Sequence, residues 1–290
     1  MAPVRVVFDS NIFSVENFDS LEKSPLRRLF AARRVFPIYG HVFIEETLRA
    51  YGSAGKRDQL VTRWLPFVVA TCDCICNDFN AIFHEELVRG RGPHARKFMR
   101  RRDYELLKRR LPHVPLDGTW HAWHASKAER DVEDQKRAAQ RKISKEIRAE
   151  VVDWKKAIGY RPEKHGLPNL GGYVQTEMDH AGRAFISAII NTRNPGEVAN
   201  RWSRNKNFYP YFTEFVYDML YMGFYAMTKP DAVLDLNAQA DLNVMAHLLQ
   251  GDVLVSNEQG FLRTAFNDLW KPRGKVLMTG PQFLKYLEHF

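Results

Sequence analysis

An α/β fold with a parallel sheet, interrupted by a long helical insertion, is the class this chain predicts, and three observations predict it. Short apolar runs alternate with helix-like segments through residues 1–80 and again through residues 232–290. Between them, residues 81–231 are polar and helix-prone, with few strand-like runs. Acids stand just past the apolar runs of both terminal parts, where a parallel sheet gathers side chains outside the carboxyl ends of its strands. The two terminal parts together make an ordinary single-domain length. One domain of residues 1–80 plus 232–290, holding residues 81–231 as an insertion, is therefore expected.

The elements follow in order. Val4–Phe8 is an apolar run that reads as the first strand, and a short helix is expected after Asn11. Ser24 caps a helix over Pro25–Arg34, with Pro25 in its first turn, where a missing N–H costs nothing. Val35–Tyr39 reads as a second strand, Val42–Tyr51 as a helix closed by Gly52, and Leu65–Cys72 as a third strand. The insertion breaks at Gly90–Pro93, Pro112–Gly118, Gly159–Gly172 and Thr192–Gly196. Its longest helical stretch is Ala125–Ile158. Tyr209–Met227 is a second, with aromatic and Met residues on most of its surface, as packing on two sides requires. Beyond residue 232, Gln239–Gln250 reads as a helix ended by Gly251, Val253–Val255 as a strand and Gly260–Leu269 as a helix. Lys275–Met278 reads as a short strand, and Thr279 then caps a helix over Pro281–Leu287.

Composition excludes several classes. The chain has 290 residues, 45% apolar and 27% charged, a globular balance rather than a disordered one. No apolar run approaches the ~20 residues of a membrane span, and Asp9 precedes any place for a signal-peptide core. A cytoplasmic protein without a membrane partner is the expectation. Cys72, Cys74 and Cys76 are odd in number and alternate, which suits thiols on one side of an extended segment better than a disulfide framework. The net charge of +9 is localised: residues 89–150 hold 18 Lys and Arg against 9 Asp and Glu, and the rest of the chain is neutral. A basic segment in a chain that also carries clustered acids suits a phosphate-backbone substrate; a solvated helical face is the plainer account.

The acids are Asp9 in VVFDSNIFS, Glu46 in HVFIEETLRAYG, Asp241 in ADLNVMAHLLQG and Glu258 in DVLVSNEQGF. Carboxylates gathered at one sheet edge repel each other and call for a cation. Mg²⁺ or Mn²⁺ suits such an all-oxygen set, because these ions retain water and need few protein ligands. Each residue also has an ordinary structural account. Asp9 and Asn11 could satisfy N–H groups of a turn. Asp241 could favour a helix start, Glu46 could pair with Arg49 or Arg34, and Ser256 and Asn257 could cap the next helix.

Taken together, these segments resemble the PIN-domain ribonuclease family. VVFDSNIFS is similar to its opening strand, and HVFIEETLR to the helix with its second acid (Glu46, with Glu45 as neighbouring alternative). DLNVMAHLLQGDVLVSNEQGF is similar to its closing signature, and GKVLMTGPQFLKYL to its last strand and helix. The resemblance covers both terminal parts and not the middle. It implies a three-layer α/β/α PIN-like domain and a Mg²⁺- or Mn²⁺-dependent endoribonuclease. Asp9, Asp241 and Glu258 would be the metal ligands, and Glu46 would hold or activate the attacking water. Asn11, Ser256 and Asn257 would orient them through hydrogen bonds. Glu258 stands where the family has Asp, and Gly260 where a further acid is common.

RNA binding is expected from the insertion, through Arg100, Arg101 and Arg102, then Lys108, Arg109 and Arg110 two turns on. Trp120 and Trp123, in WHAWH, are candidates for stacking on unpaired bases; His121 and His124 lack further ligands for zinc. Many small members of that family are toxins, so an antitoxin or other protein regulator is a partner the resemblance allows, as is a homo-oligomer. A non-catalytic RNA-binding protein on the same fold and a structure-specific DNA nuclease are the alternatives.

Overall fold

The computed structural model describes residues 3–13, 15–51, 59–73, 75–110, 149, 153, 156–157, 169–228 and 237–290. Cys74, Trp120, His121, Trp123 and His124 lie outside these residues, as does nearly all of the helix expected over 125–158.

The chain is mixed α/β. It begins with β1 (Val4–Phe8), a 3₁₀ turn at Ser10–Phe13, α1 (Val15–Lys23), α2 (Leu26–Ala31), β2 (Val35–Ile38) and α3 (His41–Tyr51). A π-helical turn at Leu60–Trp64 runs into α4 (Leu65–Ala70). Then come α5 (Phe79–Phe83), continued as a π-helical turn over His84–Val88, and the basic helix α6 (Arg101–Arg110). Next follow α7 (Leu170–Ile189), α8 (Pro195–Arg204) and α9 (Pro210–Thr228). The last part is α10 (Ala238–Ala246), β3 (Val253–Val255), α11 (Phe261–Leu269), β4 (Val276–Met278) and α12 (Gly280–Leu287).

The residues form two compact units, Met1–Asp78 with Arg96–Glu129 and Ala240–Phe290, and Phe79–Ala95 with Arg130–Gln239. This division differs from a single insertion over 81–231 in placing α6 with the sheet.

In the first unit the four strands are all parallel, in the order β2-β1-β3-β4. The chain leaves β1 toward one side to make β2 and returns on the other side to make β3. The order therefore reverses between β1 and β3. Val6 and Phe8 of β1, with Val253 and Val255 of β3, are buried against Phe18 and Leu21 of α1, Phe43 of α3 and Phe283 and Leu287 of α12. Val7 and Leu254 point the other way by strand alternation and are also 0% exposed, so the sheet is covered on both faces. Phe18 stacks on Trp64 at 4.2 Å between ring centres, and Phe8 meets Phe283 edge-on at 5.4 Å. Contacts of this kind add about 0.5–1.5 kcal/mol beyond area burial.

Leu65–Ala70, the larger part of the run Leu65–Cys72 expected as the third strand, is helical instead. Its β-branched residues suggest an extended run. The burial of Trp64, Leu65 and Val68 with Ala70 exposed instead follows one helical stripe. Pro66 sits in the first turn of α4, directly after the π-helical turn. The position beside β2 goes to Ile75, which makes an isolated parallel bridge with Tyr39. Other bounds shift less: α2 stops at Ala31, and Arg33 turns the chain at a φ of 54°. The Gln239–Gln250 helix is α10 followed by a 3₁₀ turn at His247–Leu249. Ser24 Oγ accepts the Leu26 N–H from one residue ahead of the cap position, which Pro25 takes, and Thr279 forms a full capping box with Gln282.

The second unit is helical among the described residues. Asn169 caps α7 and Asn194 caps α8, each accepting a backbone N–H with its side chain. The fully buried Glu86 accepts the N–H groups of Tyr211 (3.1 Å) and Phe212 (3.0 Å), capping α9 from a distant segment. Trp202 fills the gap between α7 and α8 over Gly182, where an added Cβ would lie 2.0 Å from the indole. Among the described residues no helix is long and apolar enough to cross a membrane.

Candidate functional site at the ends of the central strands

The carboxyl ends of β1 and β3 flank the point where the strand order reverses. Chains leaving there part toward opposite sides and open a crevice, the usual ligand position in sheets of this type. Asp9 follows β1 directly, and Ser256, Asn257 and Glu258 follow β3.

A hydrogen-bond network ties the two ends together. Ser256 Oγ lies 2.6 Å from Asp9 Oδ2, accepts from Asn11 Nδ2 at 3.1 Å and accepts the Glu258 N–H at 3.0 Å. Asn11 Oδ1 takes the Asn257 N–H at 3.0 Å, which fixes which end of the Asn11 amide faces Ser256. With both acceptor sites of the hydroxyl filled by obligate donors, its one proton goes to Asp9. Asn257 reaches onward and accepts the Gly280 N–H at 2.8 Å, tying the start of α12 to the same turn.

Asp9 is only 6% exposed and Ser256 only 1%. Burial, reinforced by the charge of Glu46, raises the Asp9 carboxyl from 3.8 to about 6, against the lowering effect of the Ser256 hydrogen bond and the N–H groups of Asn11 and Ser10. Glu46 stands half-buried on α3 and accepts a 2.6 Å hydrogen bond from Ser10 Oγ. The side chain of Glu45 lies outside the described residues. α3 begins right after Gly40, where an added Cβ would come 2.6 Å from His247 Nε2. Only glycine allows the chain after α10 to close on the end of β2.

Asp9, Asn11, Ser256, Asn257 and Glu258 are thus brought together, and Glu46 joins them through Ser10 and through its charge. Glu258 also accepts the Gly260 N–H at 3.1 Å, at the start of α11. Asp241 lies in the first turn of α10, half-buried. Among the described residues no three or more His, Cys, Asp or Glu are grouped so as to hold a metal ion. Sequence reasoning does not single out Ser10. Its place in the turn straight after Asp9 is the signal that could mark it.

The basic run lies on α6. Tyr104 is buried and donates to the Cys72 carbonyl at 2.6 Å, pinning the helix. Arg100, Arg101, Arg102, Arg109 and Arg110 are exposed, and Lys108 sits 6.0 Å from the Tyr104 ring centre. Such a face can meet phosphates. Cys72 and Cys76 are buried. No family model matches this chain, and no curated protein or solved structure matches it.

Proposed function

We propose that the chain is a Mg²⁺- or Mn²⁺-dependent endoribonuclease with a PIN-like sheet domain, working at the crevice between β1 and β3. The observation that carries this reading is Asp9: a buried carboxyl at the switch point, raised to about 6, with a second acid acting on it electrostatically. A buried acid pushed up by burial and a like charge is the signature of a site built to interact with something charged.

The charged donors at the strand end, Asp9 and Glu46, are carboxylates, the ligand class a hard cation prefers, and neither Cys nor His belongs to their network. An ion at this edge would be held by Asp9 with Glu258 and Asp241, which among the described residues are not grouped as a metal site and would have to draw in; it would lower the pKa of a bound water and offset charge on the phosphoryl group. Ser256 holds Asp9 in one orientation, Asn11 and the Glu258 N–H hold Ser256, and the Asn257 N–H holds Asn11. Glu46 is the carboxylate that can accept a proton from the attacking water. The exposed arginines of α6 would attract the phosphate backbone.

One observation favours a second reading, a non-catalytic RNA-binding protein: the Glu258 carboxylate is engaged by the Gly260 N–H just before α11. The test is cleavage of a mixed single-stranded RNA pool by wild type and Asp9→Asn, with Mn²⁺ and with chelator, beside matched DNA. Cutting that needs both Asp9 and metal is expected. RNA binding without cutting, indifferent to the mutation and to chelator, overturns the enzyme reading, and cutting confined to DNA overturns the substrate.

A further inference from the structure

A polar cleft of about 380 Å³ opens between α11 and the edge strand β4. Ser256 and Glu258, both in the Asp9 network, line it together with Arg263, Lys271 and Lys275; Arg263, in the first turn of α11, is hydrogen-bonded to Gln259, whereas Lys271 follows α11 and Lys275 precedes β4. Arg263, Phe266 and Asn267 fall on one stripe of α11 and make one wall. The other wall is β4, where Lys275 to Thr279 spans about 13 Å of extended chain. The cleft is thus a groove leading away from the acids, within the ~300–1,000 Å³ range of ligand sites.

Its chemistry contrasts with the Asp9 end. Three cations face one carboxylate, Glu258. Arg263 and Lys271 are exposed, and Lys275 is anchored by its 2.6 Å hydrogen bond to the Gly251 carbonyl. That ammonium keeps two further N–H donors for a ligand. Val276 is 44% exposed and offers an apolar surface in the same wall, while Asn267 and Gln282 offer amides. A lone phosphate ion needs neither the length nor the apolar wall. A chain of phosphates carrying flat bases uses all of them.

We propose that this groove binds single-stranded nucleic acid beside the linkage presented to Asp9, with phosphates on Arg263, Lys271 and Lys275 and a base against Val276. The direction of the strand toward Asp9 rests on the nuclease reading; the ligand rests on the groove's own charge and shape.

The test is fluorescence anisotropy of a short labelled single-stranded RNA with the full chain, in chelator so that nothing is cut. Arg263→Ala/Lys271→Ala should weaken binding roughly tenfold or more. It should also reduce the slope of log affinity against log salt by about 1.4, two phosphate contacts at ~0.7 each on a single strand. Lys285→Ala, exposed on α12 and outside the groove, is the charge control and should change neither. Unchanged affinity and slope in the double variant overturn the proposal. So does a result in which Arg101→Ala/Arg102→Ala on α6 removes the whole salt dependence. Inorganic polyphosphate displacing the RNA as well as unlabelled RNA does would reduce the groove to an anion surface and also overturn it. Groove-dependent binding by a wild type that never cuts with Mn²⁺ refutes the nuclease reading alone.

Discussion

Replacing Asp9 by Asn should stabilise the fold at and above neutral pH, although it removes a charged residue from the candidate site. Raising the carboxyl from 3.8 to about 6 means the folded chain prefers Asp9 protonated. Its favourable contribution is complete below 3.8 and disappears as pH rises through about 6, where the buried group must ionise. At ~1.36 kcal/mol per pKa unit, the cost above that range is about 3 kcal/mol. Asn keeps the shape and an oxygen that accepts the Ser256 proton, so about 1–3 kcal/mol of it should be recovered. The wild-type profile alone cannot show this. Burial lowers the fully buried His247 from 6.5 to about 4, and its stabilisation is present above 6.5 and lost as pH falls toward 4. The two groups oppose each other over nearly the same range. Both proteins contain His247, so it cancels in the difference between them. The assay is urea denaturation of wild type and Asp9→Asn from about pH 4 to about pH 8, taking the difference in unfolding free energy at each pH. The variant should gain on the wild type as pH rises, and added Mn²⁺ at the upper end should stabilise the wild type more than the variant. A pH-independent difference, or a variant that loses stability as pH rises, refutes the assignment of Asp9 as a strained buried acid.

Other outcomes follow from particular contacts. Ser256→Ala leaves Asn11 Nδ2 and the Glu258 N–H without their acceptor and should cost about 1–3 kcal/mol in denaturation. It should also raise the Asp9 carboxyl further, moving the pH range of the Asp9→Asn difference upward. Gly182→Ala sets two effects against each other: better helix propensity, worth about 1 kcal/mol, and a Cβ 2.0 Å from the rigid Trp202 indole. Overpacking costs about 1–3 kcal/mol, so net destabilisation is expected, visible as a lower urea midpoint. A net gain would mean the helices part without cost. His247→Gln should flatten the acid limb of the stability profile between 6.5 and about 4, and an unchanged limb would assign that loss to other groups.

Local chemistry makes much of this chain legible. The apolar runs at Val4–Phe8 and Val253–Val255 and the Thr279 cap depend on near neighbours, and they stand where sequence alone puts them. The grouping of Asp9, Asn11, Ser256, Asn257 and Glu258 is legible too, because acids and amides just past parallel strands meet by topology. Leu65–Ala70 is not: a short run of β-branched and apolar residues serves a buried helix as well as a strand, and only the packing of Trp64 and Val68 decides. Nor does sequence reveal that the one Ser256 proton is forced onto Asp9, since that depends on donors from residues 11 and 258 arriving at one oxygen. The groove is invisible for the same reason: Arg263, Lys271 and Lys275 are ordinary surface cations until α11 and β4 bring them to one cleft. Elements form from interactions a few residues apart, whereas burial, proton direction and charge grouping are set by contacts across the chain, and those exist only in the folded state.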